Sequence, residues 1–355
     1  MTFNYIGSKK SLINFLDIPI SKIVNDNHNS DKLVMLDGFA GTGIVGFSFY
    51  NKYNNITMIS NDLEYYSYII NYSLLCVSLT DKLKTIIDNI NIKIKIPKNK
   101  EYYNLVSENY TPLGKDKRMF WTEENGIACD YCKYLIDSLL KKKEINKSEY
   151  IFLIASLLSS MDKLANTASV YGAFLKSFKS SAKDSLKLIP LHTNIYNDCS
   201  NKTFNCDINS DEILNQSYDI AYLDPPYNQR QYSANYHPLN YIAKYDDKIE
   251  IYGKTGLLKS SNKSKYSQKP NALEALTHLI TTLKAKHILL SYNNEGIINF
   301  EKIKELLISL GIVILYKKEY KKFKSNENQE NEIVYEYLFH LEKHTETKSF
   351  NEIII

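Results

Sequence analysis

The chain has few of the features that settle a protein's class at a glance. It holds no run of about 18 consecutive apolar residues, so no membrane-spanning helix is expected. Its five cysteines, Cys76, Cys129, Cys132, Cys199 and Cys206, are too few and too unevenly spaced for a disulfide scaffold. The opening Met1-Thr2-Phe3-Asn4-Tyr5 has no basic segment followed by an apolar one, which makes a soluble, cytoplasmic protein the expectation. No internal repeat of fixed period is visible, which argues against a solenoid. Net charge is small as well: 44 Lys and Arg against 40 Asp and Glu leave +4, compatible with a polyanionic partner without requiring one. Cys129 and Cys132 form a C-x-x-C, but a structural zinc takes four ligands and Cys199 and Cys206 are poorly spaced for a second pair. The pair reads as two side chains one turn apart on a helix, and no metal is expected.

What is present suits a large α/β protein. At 355 residues and 44% hydrophobic content the chain can bury one large core or two. The 29 tyrosines accompany abundant Asn, Lys and Ile, so most read as packing residues rather than base-stacking platforms. Residues 33–37 form a short apolar strand ending in an acid, and an apolar run from Ile44 to Tyr50 suits a helix. A second strand over 56–60 leads to Asn61-Asp62, which completes a β-α-β unit. Strands at 219–223 and 287–292 extend the sheet. Two late strands near 312–317 and 333–341 flank the polar stretch Ser325 to Glu332 and read as an antiparallel hairpin on an otherwise parallel sheet. Helices are expected over 122–143 and 149–165, while 99–120 is polar and aromatic without clear period. The section from about 76 to 195 therefore reads as an inserted, mostly helical module, with residues 1–75 and 196–355 forming the sheet domain.

The turn Asp37-Gly38-Phe39-Ala40-Gly41-Thr42-Gly43 resembles a nucleotide-binding loop, its glycines permitting a tight bend and close backbone approach. Asp62 lies 19 residues after Gly43, where an acid can take the hydroxyls of a ribose. A dinucleotide prefers G-x-G-x-x-G, whereas this loop is G-x-x-G-x-G led by an acid. A P-loop is excluded: Gly253-Lys254-Thr255 would need an earlier glycine at position 248, which is Lys248. An acid beside the turn suits a cationic, phosphate-free ligand such as S-adenosylmethionine, whose sulfonium and α-amine face Asp37 while backbone amides and a lysine take its carboxylate.

The apolar strand Ile220-Ala221-Tyr222-Leu223 runs into Asp224-Pro225-Pro226-Tyr227. Two prolines stop the strand and remove two backbone donors, leaving a stiff corner between a carboxylate and an aromatic ring. A carboxylate and a backbone carbonyl can hold both N–H groups of an exocyclic amine, and the ring can stack on the heterocycle that carries it.

These residues together resemble the Dam-like DNA adenine-N6 methyltransferases, site-specific enzymes that are typically the modification partners of restriction systems. The resemblance covers most of the chain, in the order N-terminal segment, glycine loop, ribose acid, recognition module, Asp-Pro-Pro-Tyr. It implies a Rossmann-like S-adenosylmethionine-dependent methyltransferase fold with a mainly helical inserted target-recognition module. In Asn4-Tyr5-Ile6-Gly7-Ser8-Lys9 it assigns Tyr5, Ile6 and Lys9 to the cofactor. It does the same for Asp37, Phe39, Ala40, Gly41, Thr42 and Gly43, for Asp62 on the ribose and for Leu63 in the adenine pocket. Phe204-Asn205-Cys206-Asp207-Ile208 looks like the segment that touches the cofactor's adenine, making Asp207 and Ile208 candidates, although Asp198 competes with Asp207. Asp224, Pro225, Pro226 and Tyr227 match the catalytic tetrapeptide without departure, Asp224 also facing the cofactor, and Asn228 to Tyr232 continue as a loop near the target base.

An adenine in duplex DNA must be extruded to reach such a corner. From Lys254 to Lys269 the chain carries Lys254, Lys259, Lys263, Lys265 and Lys269 with no acid, a segment suited to phosphate contact or to simple solvation, and Arg230 sits near the catalytic loop. The segment Ala165 to Gly172 reads either as a close approach to DNA or as a helix-terminating loop. A cognate restriction endonuclease acting separately is the implied partner. Cytosine-N4 or RNA amino-methylation, and a catalytically silent DNA-binding protein, remain the competing readings.

Overall fold

Among the described residues, 8–27, 32–95, 104–168, 170–196, 200–259, 263–321, 333–343 and 347–355, the computed structural model holds ten strands. In chain order they are β1 (Leu33–Asp37), β2 (Ile56–Asn61), β3 (Lys202–Phe204), β4 (Ser217–Leu223), β5 (Ile251–Tyr252), β6 (Leu257–Leu258), β7 (Lys284–Asn293), β8 (Gly311–Lys321), β9 (Ile333–Lys343) and β10 (Ser349–Ile354). Eight form one sheet in the order β10-β8-β9-β7-β4-β1-β2-β3, and β5 pairs with β6 in a separate hairpin. β1 pairs in parallel with β2 and with β4, and β4 in parallel with β7. The inner strands are continuous apolar runs because both their faces are covered: Leu33, Met35, Leu36, Ile220, Ala221 and Leu223 are all buried.

This strand order places the site. The chain leaves β1, crosses by the helix Ile44–Lys52 to β2 on one side, and later enters β4 on the other side of β1. The order reverses between β1 and β4, and ligands of open α/β sheets bind outside the carboxyl ends of strands at such a switch point. The register aligns those ends: Asp37 lies opposite Ser60 of β2 and Tyr222 of β4. The glycine turn, Asp62 and Asp224 therefore all leave the sheet at one edge.

The expected antiparallel hairpin is present, with β8 and β9 paired over 11 residues each and β9 set antiparallel against β7. The polar stretch 325–332 lies outside the described residues. Three features were not foreseen: β10, which returns parallel to β8 at the sheet edge; the three-residue β3; and the β5–β6 hairpin, whose second strand falls inside the lysine-rich segment.

The described residues divide into two compact units. One, Lys9–Leu63, Thr203–Gln231 and Lys263–Ile355, holds the large sheet and a core that includes Leu36, Leu223, Leu276, Ile288, Leu290 and Phe339. The other takes in Glu64–Lys202 and Tyr232–Asn262 and is mainly helical. Its helices Glu123–Lys141 and Lys147–Lys163 stand where helices were predicted. Asn146 and Glu149 start the second of them with a reciprocal capping box. Trp121 and Phe152 are fully buried, and the Trp121 indole N–H donates to the Met161 carbonyl at 2.9 Å. Asp130 accepts from the Val106 and Ser107 N–H groups, both at 2.9 Å, and so caps the helix Leu105–Tyr110 from a neighbouring helix. Cys129 and Cys132 are buried one turn apart. No described helix is long and apolar enough to cross a membrane.

Candidate active site

The glycine turn is closed by its own backbone and by two acids. Gly38 N–H donates to the Tyr222 carbonyl at 2.9 Å, and a Cβ at Gly38 would meet Leu223 Cδ2 at 2.8 Å. Gly41 and Gly43 hold φ angles of 51° and 75°, a region that costs other residues about 1–2 kcal/mol. Asp37 is buried at the end of β1, where its Oδ2 accepts the Gly46 N–H at 3.0 Å. Burial pushes its carboxyl up to about 7; the Gly46 hydrogen bond works against this, and the neighbouring charges of Asp224 and Asp62 add to it. Asp62 Oδ2 accepts the Gly41 N–H at 2.7 Å, so the expected ribose acid also fixes the bend of the turn. Ala40, Thr42 and Gly43 are buried, Leu63 is half-buried, and Phe39 packs edge-on against Tyr266 at 4.9 Å.

Two asparagines inside the quoted segments, given no role by the sequence, tie this turn to the next segment. Asn61 Nδ2 donates to the carbonyls of Gly38 at 3.3 Å and Cys206 at 3.2 Å, while its Oδ1 accepts the Cys206 N–H. Asn205 Nδ2 donates to the Asp62 and Leu63 carbonyls at 2.8 and 3.1 Å. The 204–208 segment is thereby docked beside the ribose acid. Asp207 is exposed there, its Oδ1 accepting the Asn209 N–H, and Ile208 is buried against the position of Gly38.

The catalytic corner lies at the end of β4. Pro225 is buried, Pro226 and Tyr227 are half-buried, and the Tyr227 carbonyl accepts the Ile297 N–H at 3.0 Å. The Asp224 side chain is 18% exposed, with its Oδ1 3.2 Å from Lys9 Nζ. Lys9 is buried and its Nζ also donates to Glu336 Oε1 of β9 at 2.5 Å, which in turn accepts from Ser291 Oγ of β7 at 2.8 Å. Burial pushes the Asp224 carboxyl up to about 6; Lys9 pulls it down and Glu336 pushes it further up. Burial opposes the Lys9 ammonium, but Asp224 and Glu336 outweigh it and hold its pKa well above the usual lysine value. Glu336 and Ser291 are residues of the site that sequence reasoning missed. Glu336 lies 112 residues after Asp224, and only strand pairing brings it here.

Other expected contacts fall elsewhere. Tyr5, Ile6 and Asp198 lie outside the described residues. Arg230 is exposed, its N–H on Asn228 Oδ1 at 3.1 Å. Gln231 clamps the loop to the lysine segment, its Nε2 donating to the Ser264 carbonyl at 3.1 Å and its Oε1 accepting the Ser264 N–H at 2.8 Å. Lys263 and Lys265 are exposed on either side of Ser264, in the sheet unit. Lys254 and Lys259 belong to the helical unit, where Lys259 is exposed and ion-paired with Glu250, an acid just before the segment. Asn166 donates to the Met119 and Leu175 carbonyls, and Thr167 and Tyr171 are buried, so these residues of the Ala165–Gly172 segment serve as a loop clamp.

The donor set around the turn is acidic: Asp37, Asp62, Asp207 and Asp224, with Lys9 the cation among them. Such a set suits a ligand with positive charge and hydroxyl groups and repels a diphosphate. The family described as D12 class N6 adenine-specific DNA methyltransferase matches residues 5–306. The Type II methyltransferase M.NlaIII of Neisseria lactamica is 40% identical over 346 residues, covering 96% of this chain and 99% of that protein. The Type II methyltransferase M.CviAII of Paramecium bursaria Chlorella virus 1 is 35% identical over 339 residues, 94% of this chain and 97% of its own. The Type II methyltransferase M.FokI of Planomicrobium okeanokoites is 37% identical over 352 residues, 96% of this chain and 52% of that longer protein.

Proposed function

The chain belongs to the D12 class N6 adenine-specific DNA methyltransferases, and from that premise we propose how its residues carry out site-specific adenine methylation. The observation that carries the reading is the switch point: an acidic glycine turn at the end of β1 beside Asp224-Pro225-Pro226-Tyr227 at the end of β4. S-adenosylmethionine is the methyl donor. When bound, it supplies a methyl group on a positively charged sulfur, which makes the methyl electrophilic. Asp62 takes the ribose hydroxyls, Leu63 and Ile208 line the adenine pocket, and Asp207 receives the adenine amino group. Asp37, whose burial disfavours its own charge, is relieved by a neighbouring cation and so favours a cationic ligand. Phe39, Ala40, Gly41, Thr42 and Gly43 shape the turn, Lys9 pairs with Asp224 beside it, and Tyr5 and Ile6 are carried as cofactor contacts on the family resemblance alone.

The target adenine is flipped out of the duplex and stacks on Tyr227. Asp224 and the Pro225 carbonyl accept its two N6 hydrogens. Held in this way, the N6 lone pair would be drawn out of conjugation with the ring and aimed at the methyl that the bound donor would supply. N6 then carries positive charge until a proton leaves to Asp224 or water. Catalysis is positioning plus stabilisation of that charge. Lys263 and Lys265 hold DNA phosphates, with Lys254, Lys259 and Arg230 as further contacts, and the helical unit reads the sequence. The Type II names of the relatives support a role in a restriction-modification system, and a separate endonuclease is the partner this reading proposes.

The test is transfer of isotopically labelled methyl from S-adenosylmethionine to unmethylated duplex DNA, with nucleoside products identified by mass spectrometry. Labelled N6-methyladenine in DNA is the expected result. Label on cytosine N4 or in RNA changes the substrate, and no label in any of them overturns the reading.

A further inference from the structure

Lys9 lies between two carboxylates of different standing, one in the catalytic corner and one that no motif marks. It is closer to the second, 2.5 Å from Glu336 Oε1 against 3.2 Å from Asp224 Oδ1. Glu336 is itself oriented by Ser291, and both sit on adjacent antiparallel strands, β7 and β9, whose register sets Asn293 opposite Glu336. All three charged groups are nearly sealed from water, with side-chain exposures of 6%, 11% and 18% for Lys9, Glu336 and Asp224. Screening is therefore weak and the sum of charges matters.

That sum is two carboxylates against one ammonium. Without Glu336, Lys9 would neutralise Asp224 alone, and a neutral pair would face an amine that turns cationic during transfer. The ammonium would also compete with the N6 hydrogens for the Asp224 oxygens. We propose that Glu336 is a positioning residue for the methyl transfer, holding Lys9 back from Asp224 and leaving the corner with one net negative charge where N6 becomes positive. The inference rests on the adenine-methylation reading above. Glu336 touches neither the base nor the donor in this account; it acts through Lys9.

The other titratable groups facing Asp224 are Asp37 from β1, Tyr222 from its own strand and Tyr227 from the corner. Tyr222 and Tyr227 also feel the Lys9 charge, but among the described residues the carboxylates ion-paired with Lys9 are Asp224 and Glu336, so a change at Glu336 alters how Lys9 is shared with Asp224.

The experiment is single-turnover methylation of duplex DNA from pH 5 to 8 by the wild type and Glu336→Gln, with S-adenosylmethionine affinity measured alongside. Removing the negative charge lets Lys9 pair with Asp224 alone. The rate should fall by roughly tenfold, less than the hundredfold or more that follows removal of a direct charge-stabilising donor. The acid limb of the pH profile should move to lower pH, and cofactor affinity should stay within about twofold, a change of under 0.5 kcal/mol. Glu336→Asp keeps the charge at shorter reach and should recover most of the rate, with its limb between the other two. An acid limb that does not move in Glu336→Gln overturns the proposal whether or not the rate falls, since a structural loss lowers the rate alone. If Glu336→Gln does not melt cooperatively, Glu336→Asp decides on the same readout. A wild type that places no label on adenine N6 would refute the functional reading instead, and so the two failures are separable.

Discussion

Asp224 is held in a form that folding disfavours and the proposed reaction requires. A carboxyl pushed up to about 6 keeps its proton in the folded chain over a range where the unfolded chain has lost it. Its contribution to stability is therefore greatest below the ordinary carboxylate pKa and declines as pH rises through about 6. In the proposed reaction activity runs the other way, because the ionised carboxylate both accepts an N6 hydrogen and offsets the positive charge that develops on N6. Methylation rate should fall about tenfold per pH unit below pH 6, measured under single turnover. Asp224→Asn should abolish transfer while raising the melting temperature at pH 8 by roughly 2–5 °C, a trade of stability for activity. At Tyr227 the proposed mechanism makes the ring the functional part. Tyr227→Phe should retain at least about half of the rate, and Tyr227→Ala should lose about 1–3 kcal/mol of base binding, read as a raised KM for DNA. Equal losses in both would assign the role to the hydroxyl. The tetrapeptide and the glycine turn could be marked in the sequence because each is a contiguous string, and Asp62 because it follows the next strand of the same β-α-β unit. Asn61, Asn205, Ser291 and Glu336 were not, because their partners lie far along the chain and their roles exist only once the strands are paired.

At the scale of elements, the strand–turn–helix–strand unit from Leu33 to Asn61 was readable because buried parallel strands are unbroken apolar runs bounded by glycine. The short pieces were not. β3 has three residues and β5 and β6 two each, too few for any period to register. The helix Leu105–Tyr110 takes its N-terminal partners from Asp130 on another helix, so no local cap announced it. The turn itself offers a sharp test. Gly43 precedes the helix Ile44–Lys52 with φ 75°, and Gly43→Ala should cost about 1–2 kcal/mol of stability. It should also weaken S-adenosylmethionine binding by about tenfold or more, measured by calorimetry, because the strain is relieved by moving the backbone that Asp62 and Asp37 hold. Unchanged affinity with a lowered melting temperature would separate the turn from the cofactor.

At the scale of the molecule, the lysines divide by what already occupies them. Lys259 is spent on Glu250, whereas Lys263 and Lys265 flank the backbone that Gln231 grips. Replacing Lys263 and Lys265 together by Gln should weaken binding to all DNA sequences alike and reduce the salt slope by about 0.9 for each phosphate no longer neutralised. Lys259→Gln should change the slope by less than half of that amount, and a shift in the preferred site would mean instead that these residues read bases. Of the two arginines, Arg118 is buried with its guanidinium on the carbonyls of Asn109, Gly253 and Lys254, so it braces the β5–β6 turn and is not available to read a base. The position of β9 has a consequence for the order in which the enzyme becomes competent. During synthesis the Asp224 corner emerges from the ribosome more than 100 residues before Glu336. β9 must then thread between β7 and β8, a non-local pairing of the kind that forms late. Glu336 reaches Lys9 only once that pairing has formed, so on the charge-balance proposal the last long hairpin completes a site whose motif lies more than 100 residues earlier.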